Sequence, residues 1–194
     1  MLILVRHGRT AANAQRLLLG RLDPPLDDEG RRQAARLREA VGSFDHIRSS
    51  PLQRTRETAQ AIAGAVTVDV DPRWVEIDYG NYDGLPLADV PPDMWRAWRS
   101  DPSFTPPGGE SLASLQARVA AACDDLRAEA EAHDVVVVSH VSPIKAAVAW
   151  ALGAGPELAW KLFLQPASIT RIAVGPTGPV IHSFNEAGHL LGDA

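Results

Sequence analysis

A chain of 194 residues with 45% hydrophobic content can bury a substantial core, and a single domain covering 1–194 is expected. The formal charge of −5, with no run of basic residues, argues against a nucleic-acid surface but leaves room for a small anionic substrate held by a few local arginines. The single cysteine, Cys123, excludes an internal disulfide and a cysteine-based zinc cluster. The start at Met1 shows no basic-then-apolar signal and no apolar stretch approaches the ~20 residues that cross a bilayer, so a cytoplasmic chain without membrane contact is expected.

Leu2-Ile3-Leu4-Val5 is a short continuous apolar run ending in charge, the pattern of a strand buried on both faces of a parallel sheet. A segment opening near Asp27 places Ala34, Leu37 and Val41 on one helical face. A short strand is predicted around 44–47. After it, Ser50-Pro51-Leu52-Gln53 reads as a helix start with Ser50 as N-cap, which puts Arg54 in the first turn. The Pro-rich stretch 85–107 is a candidate insertion; within it Trp95 and Trp98, three apart, either pack the insertion onto the domain or form a lid over a substrate. A longer helix follows Gly108-Gly109, with Leu112, Leu115, Val119, Ala122 and Leu126 at steps of three and four. Val135-Val136-Val137-Val138 is a second buried strand, and 169–174 and 180–184 read as two strands joined by a Gly/Pro turn. Strands alternating with amphipathic helices predict a layered α/β domain.

Three polar turns follow predicted strands directly: Arg6-His7-Gly8, Ser49 to Arg54, and Ser139-His140. In open parallel sheets ligands bind outside the carboxyl ends of strands, so Arg6, His7, Arg54 and His140 are expected to converge on one pocket. Two guanidinium groups and two imidazoles suit a phosphoryl group, because arginine offers a planar fork matched to phosphate oxygens. Each residue alone has a plainer structural reading; three charged turns on one sheet edge do not, since burying unpaired charge is costly.

The ordered motifs resemble those of the histidine phosphatase (phosphoglycerate mutase-like) superfamily. They are Leu4-Val5-Arg6-His7-Gly8-Arg9-Thr10 with Asn13, then Gly20 and the stretch Pro25 to Ala34, and Ser49-Ser50-Pro51-Leu52-Gln53-Arg54-Thr55. Glu76 through Gly80 with Asp83-Gly84, Pro107-Gly108-Gly109-Glu110-Ser111, and Val138-Ser139-His140 complete the set. The resemblance implies a three-layer α/β/α sandwich with a mostly parallel central sheet. It implies His7 as nucleophile, Arg6, Arg54 and His140 as holders of the phosphoryl oxygens, and Glu76 as proton donor and acceptor. Asn13 and Gly20 fall where family members contact substrate or phosphate. Two departures stand out. Val141-Ser142-Pro143 follows His140 where many members have glycines, which leaves fewer amide donors in the turn. Arg9 stands where glutamate is frequent, which makes the pocket mouth more positive.

The implied activity is metal-independent hydrolysis of small phosphate monoesters through a phosphohistidine, closest to the alpha-ribazole phosphatase-like and broad-specificity acid phosphatase branches, with a small phosphorylated metabolite as partner and no cofactor. A homodimer is compatible with the resemblance. Phosphoglycerate mutase-type transfer and a non-catalytic phosphate-binding domain are the alternatives. Stretch 85–107 carries Arg96 and Arg99 but no adjacent arginine pair, which favours the phosphatase over the mutase. A metal-dependent hydrolase is disfavoured, since no His-Glu-x-x-His spacing exists and arginines beside the histidines repel a cation. His182 and His189 carry no motif and are expected at the surface.

Overall fold

The computed structural model describes residues 1–191. Its centre is a six-stranded sheet in the order β3-β2-β4-β1-β5-β6. The strands are β1 Leu2–Arg6, β2 His46–Ser49, β3 Val68–Val70, β4 Val135–Ser139, β5 Ile169–Gly175 and β6 Gly178–Glu186. β1, β2, β3 and β4 are mutually parallel; β5 runs against β1, and β6 against β5, so only β5 opposes the rest.

The unbroken apolar runs in β1 and β4 are explained by helices on both faces. Leu2, Leu4, Val135 and Val137 point to one core, shared with Leu115, Val119 and Leu126 of α5 (Leu112–Ala132) and Ile144 of α6 (Val141–Leu152). Ile3, Val5, Val136 and Val138 point to the other, shared with Leu37 and Val41 of α2 (Asp28–Val41) and Ala59 and Ile62 of α3 (Gln53–Ala63). Successive strand residues alternate between faces. The three-layer α/β/α arrangement and mostly parallel sheet expected from the sequence are therefore present.

Local chemistry explains the helix bounds. Asp27 accepts a hydrogen bond from the Gly30 amide at 2.7 Å to open α2, and Asp28 and Glu29 add negative charge at its positive end. Ser111 caps α5 through the Ser114 amide. α3 corrects the sequence expectation: it begins at Gln53, not at Ser50, and its N-cap residue Leu52 contributes no side-chain bond. The Gln53 amide instead donates to Asp23 at 2.6 Å, a carboxylate from a distant loop. The Ser50 hydroxyl pairs closely with the His140 ring at 2.8 Å and accepts only a long bond, 3.4 Å, from the Leu52 amide ahead of the helix.

The stretch 85–107 holds α4, Pro92–Ser100, whose Met94 and Trp98 enter the first core. A further short helix, α1 (Ala11–Ala14), follows the β1 turn and is held by a reciprocal capping box between Thr10 and Asn13. Among the described residues no helix is long and apolar enough to cross a membrane.

Candidate functional site

Strand order explains the convergence. β4 lies between β1 and β2, all three parallel, so the turns after them are neighbours at one sheet edge. Backbone bonds extend the ladder into those turns: the His7 amide donates to Ser139 O and the Ser50 amide to Val138 O, each at 3.0 Å. Gly8 then passes against the first turn of α2, where a Cβ on it would lie 2.4 Å from Gly30 O; only glycine fits that contact.

A cavity of ≈ 130 Å³ opens at this edge, lined by Arg6, His7, Asn13, Leu17, Leu18, Leu19, Glu76, Tyr79 and Val141. The His7 ring is buried, and the Gly8 carbonyl accepts a hydrogen bond from its Nδ1 at 2.7 Å. That partner assigns the proton to Nδ1 and leaves the Nε2 lone pair free. Burial, followed by the positive charges of Arg54 and Arg6, holds the His7 pKa well below the ordinary imidazole value, so the ring is neutral at physiological pH. Arg6 donates from one terminal nitrogen to Leu164 O at 2.7 Å, while its buried Nε has no partner. Burial lowers its pKa to about 10, which still leaves it charged.

Arg54 and His140 are fully buried beside this cavity, without lining it. The His140 ring packs edge-on to His7 with centroids 5.1 Å apart. Its Nδ1 accepts from Arg54 Nε at 3.2 Å, and its Nε2 pairs with Ser50 Oγ at 2.8 Å. Both ring nitrogens of His140 are thus engaged, and direct contact with a phosphoryl oxygen requires one bond to exchange. Burial, then the charge of Arg54, lowers its pKa as it does that of His7. The other Arg54 donors hold Leu22 O at 2.7 Å and Gly20 O at 2.8 Å.

Asp83 anchors the loop that receives Arg54. Its carboxylate accepts from the amides of Gly20, Arg21 and Leu22 at 2.7, 2.7 and 2.8 Å. The chain Asp83, loop 20–22, Arg54, His140 and Ser50 is therefore one connected network. Asp83→Asn replaces an acceptor with a donor facing amide N–H groups; we expect a loss of about 10- to 100-fold in kcat/KM on a phosphate ester with unchanged circular dichroism.

Glu76 is 3% exposed. Its Oε1 accepts from its neighbour's amide, that of Ile77, at 2.8 Å and from the Ser142 amide at 3.2 Å. Ser142 belongs to the first turn of α6, so the carboxyl sits at a helix N-terminus. Arg118 braces the same segment, donating to Arg73 O at 2.6 Å and pairing with Glu110 at 2.7 Å.

Of the residues named from the sequence, Arg6, His7, Asn13, Glu76 and Val141 line the cavity, and Arg54, His140 and Gly20 are bonded together next to it. Asn13 uses its side-chain oxygen to accept from the Thr10 amide, so its NH₂ group remains as a donor. Arg9 stands apart: it pairs with Asp27 at 2.8 Å and does not line the cavity, so the charge expected at the mouth is neutralised locally. His182 is exposed, as expected; His189 is only partly so and bonds to Ala167 O at 3.0 Å. Tyr79, Ser50, Asp83 and Trp160 were not singled out for the site. Tyr79, Ser50 and Asp83 lie in quoted motifs, but their partnerships are long-range and, like that of Trp160, leave no periodic signal. Among the described residues no group of three His, Cys, Asp or Glu is arranged to hold a metal ion.

Because His7 and His140 are held neutral in the folded state, unfolding lets them take up protons below their unfolded pKa of about 6.5. Folded pKa values are depressed, so stability is present above that pH and is lost as pH falls below it. The expected loss is up to about 1.4 kcal/mol per histidine for each pH unit. Urea melts from pH 7.5 to 5 should show this decline, and His7→Asn should make it shallower.

A parallel-sheet α/β protein with a neutral imidazole, a partly unpaired arginine and a buried carboxyl in one cavity is thus defined by geometry. The profile of the histidine phosphatase superfamily (branch 1) matches residues 2–187, and the chain belongs to that family. It is 40% identical over 198 residues to a bifunctional protein of Mycobacterium tuberculosis, covering 97% of this chain and 54% of that protein; the chain spans about half the length of that relative. It is 36% identical over 197 residues to phosphoserine phosphatase 1 of Hydrogenobacter thermophilus, covering 97% of this chain and 93% of the relative. Among solved structures, a histidine-to-alanine mutant of phosphoserine phosphatase from Entamoeba histolytica, in complex with phosphoserine, superposes with a TM-score of 0.91 at 33% identity over 98% of each chain.

Proposed function

We propose that the chain is a phosphomonoesterase working through a phosphohistidine at His7, with no metal or cofactor. The observation that carries this is the state of His7: a buried, neutral ring with Nδ1 tied to the Gly8 carbonyl, so that Nε2 carries the lone pair, in one cavity with Arg6 and Glu76. Nε2 attacks phosphorus, the bond from phosphorus to the ester oxygen breaks, and Glu76 gives its proton to the departing oxygen. Water then attacks the phosphohistidine and passes a proton to Glu76, freeing orthophosphate and restoring the ring. Arg6, with its unpartnered Nε, and Arg54 stabilise negative charge on the phosphoryl oxygens. His140 acts on the same oxygens and sets the plane of Arg54 through their shared bond. Asn13 and the Val141 amide at the α6 N-terminus supply further donors; Gly20 acts by receiving Arg54.

Relatives named as phosphoserine phosphatases support hydrolysis, and others named as probable phosphoglycerate mutases keep mutase-type transfer as the alternative. In this reading the chain is one domain, 1–194, of which 192–194 lie outside the described residues, and 85–107 forms a lid insertion. Cytoplasmic placement and a homodimer are part of the same proposal; light scattering tests the second. Hydrolysis of p-nitrophenyl phosphate in EDTA tests the function. Turnover unaffected by chelator is expected, and inactivity there and in a phosphoglycerate interconversion assay would favour the non-catalytic binding domain.

A further inference from the structure

We infer that a chamber beside the His7 cavity is the leaving-group site, and that it selects phosphate monoesters of alcohols with a flat or apolar body over compact zwitterionic ones such as phosphoserine. The inference rests on the phosphomonoesterase reading and names its substrate class.

The chamber has a volume of ≈ 320 Å³, at the lower end of the ~300–1,000 Å³ typical of sites that enclose small organic ligands. Leu18, Tyr79 and Val141 line both it and the His7 cavity, so the two share a wall. A substrate with its phosphoryl group against His7 extends its alcohol past those residues into the chamber. The remaining walls are mostly apolar, including Leu87, Trp95, Leu112 and Trp160. The aromatic part is built from indoles packed on one another. Trp95 stacks on the buried Trp98 at 5.9 Å and 17°, and Trp160 stands edge-on to Trp95 at 6.2 Å and 89°. Two indole planes set at right angles offer a ligand ring both stacked and edge-on contact. Trp160 and Leu87 are 36% and 43% exposed, apolar surface that an apolar ligand would cover.

Among the described residues the only charged group lining the chamber is Lys145. Its ammonium donates to Ala159 O at 2.8 Å, which leaves two N–H groups for a hydroxyl or other acceptor on the ligand. Among the described residues no carboxylate lines the chamber, so while Lys145 can take the carboxylate of phosphoserine, its ammonium has no counter-ion there. A three-carbon amino acid also leaves most of the indole surface uncovered.

Three esters of primary alcohols separate the possibilities: 2-phenylethyl phosphate, ethyl phosphate and phosphoserine. We expect kcat/KM for 2-phenylethyl phosphate to exceed both others by at least about tenfold, the value of burying one phenyl group. Trp160→Ala should reduce the phenylethyl-to-ethyl ratio by about fivefold or more, and the wild-type ratio needs no variant to fold. Equal values for the phenylethyl and ethyl esters, or preference for phosphoserine, overturn the inference while leaving a phosphomonoesterase. Failure of all three esters and of p-nitrophenyl phosphate overturns the phosphomonoesterase reading, and this inference with it.

Discussion

His7→Ala is expected to lower kcat/KM for p-nitrophenyl phosphate by at least about three orders of magnitude, because the variant removes the atom that forms the bond to phosphorus. Neighbouring groups do not replace it. Arg6 and Arg54 are charged donors, and His140 has both ring nitrogens bonded, to Arg54 and Ser50. The ring is small and buried, so an accompanying loss of packing is separable by a thermal melt. The same assay across pH carries a second expectation. The His7 pKa is held well below its usual value by burial and two arginines, so the acid limb of kcat/KM should lie below pH 6.5. Weakening either arginine contact should move that limb upward.

Glu76→Gln keeps the shape of the side chain and removes its proton-transfer capacity, with an expected loss of about 10²- to 10⁴-fold for alkyl phosphates. The effect should divide by leaving group. An alkoxide needs protonation to depart, whereas p-nitrophenolate does not, so the first chemical step on p-nitrophenyl phosphate should be affected far less. The second step lacks its base for either substrate. A burst of p-nitrophenolate followed by slow turnover is therefore expected in this variant, with phosphoenzyme accumulating. A uniform loss across leaving groups would assign Glu76 a structural role at the α6 N-terminus, where it accepts from the Ser142 amide.

The parts legible in sequence were those with local periodicity or composition. β1 and β4 read as buried strands because helices cover both faces, and α2 and α5 because their apolar residues recur on one side. β3 was not legible: of its three edge residues Val68-Asp69-Val70 only Val68 packs against the core, too little to impose a pattern. The start of α3 was misplaced because Ser50 has the right residue type for a cap and a different partner, His140, ninety positions away. Convergence of the three turns could be argued from the strand-end rule, whereas the position of β4 between β1 and β2 belongs to topology. The neutralisation of Arg9 by Asp27 and the aromatic wall at Trp160 are likewise tertiary facts without sequence periodicity.

The central claim is that the phosphoryl group passes through His7. Glu76→Gln mixed with p-nitrophenyl phosphate, quenched in base, digested and examined by mass spectrometry tests it directly. The account predicts one phosphoryl group on the peptide that carries His7, lost on brief acid treatment and absent when His7→Ala is added. Phosphate retained through acid on another residue, or a wild-type enzyme that turns over while His7 is unmodified in both proteins, would contradict it.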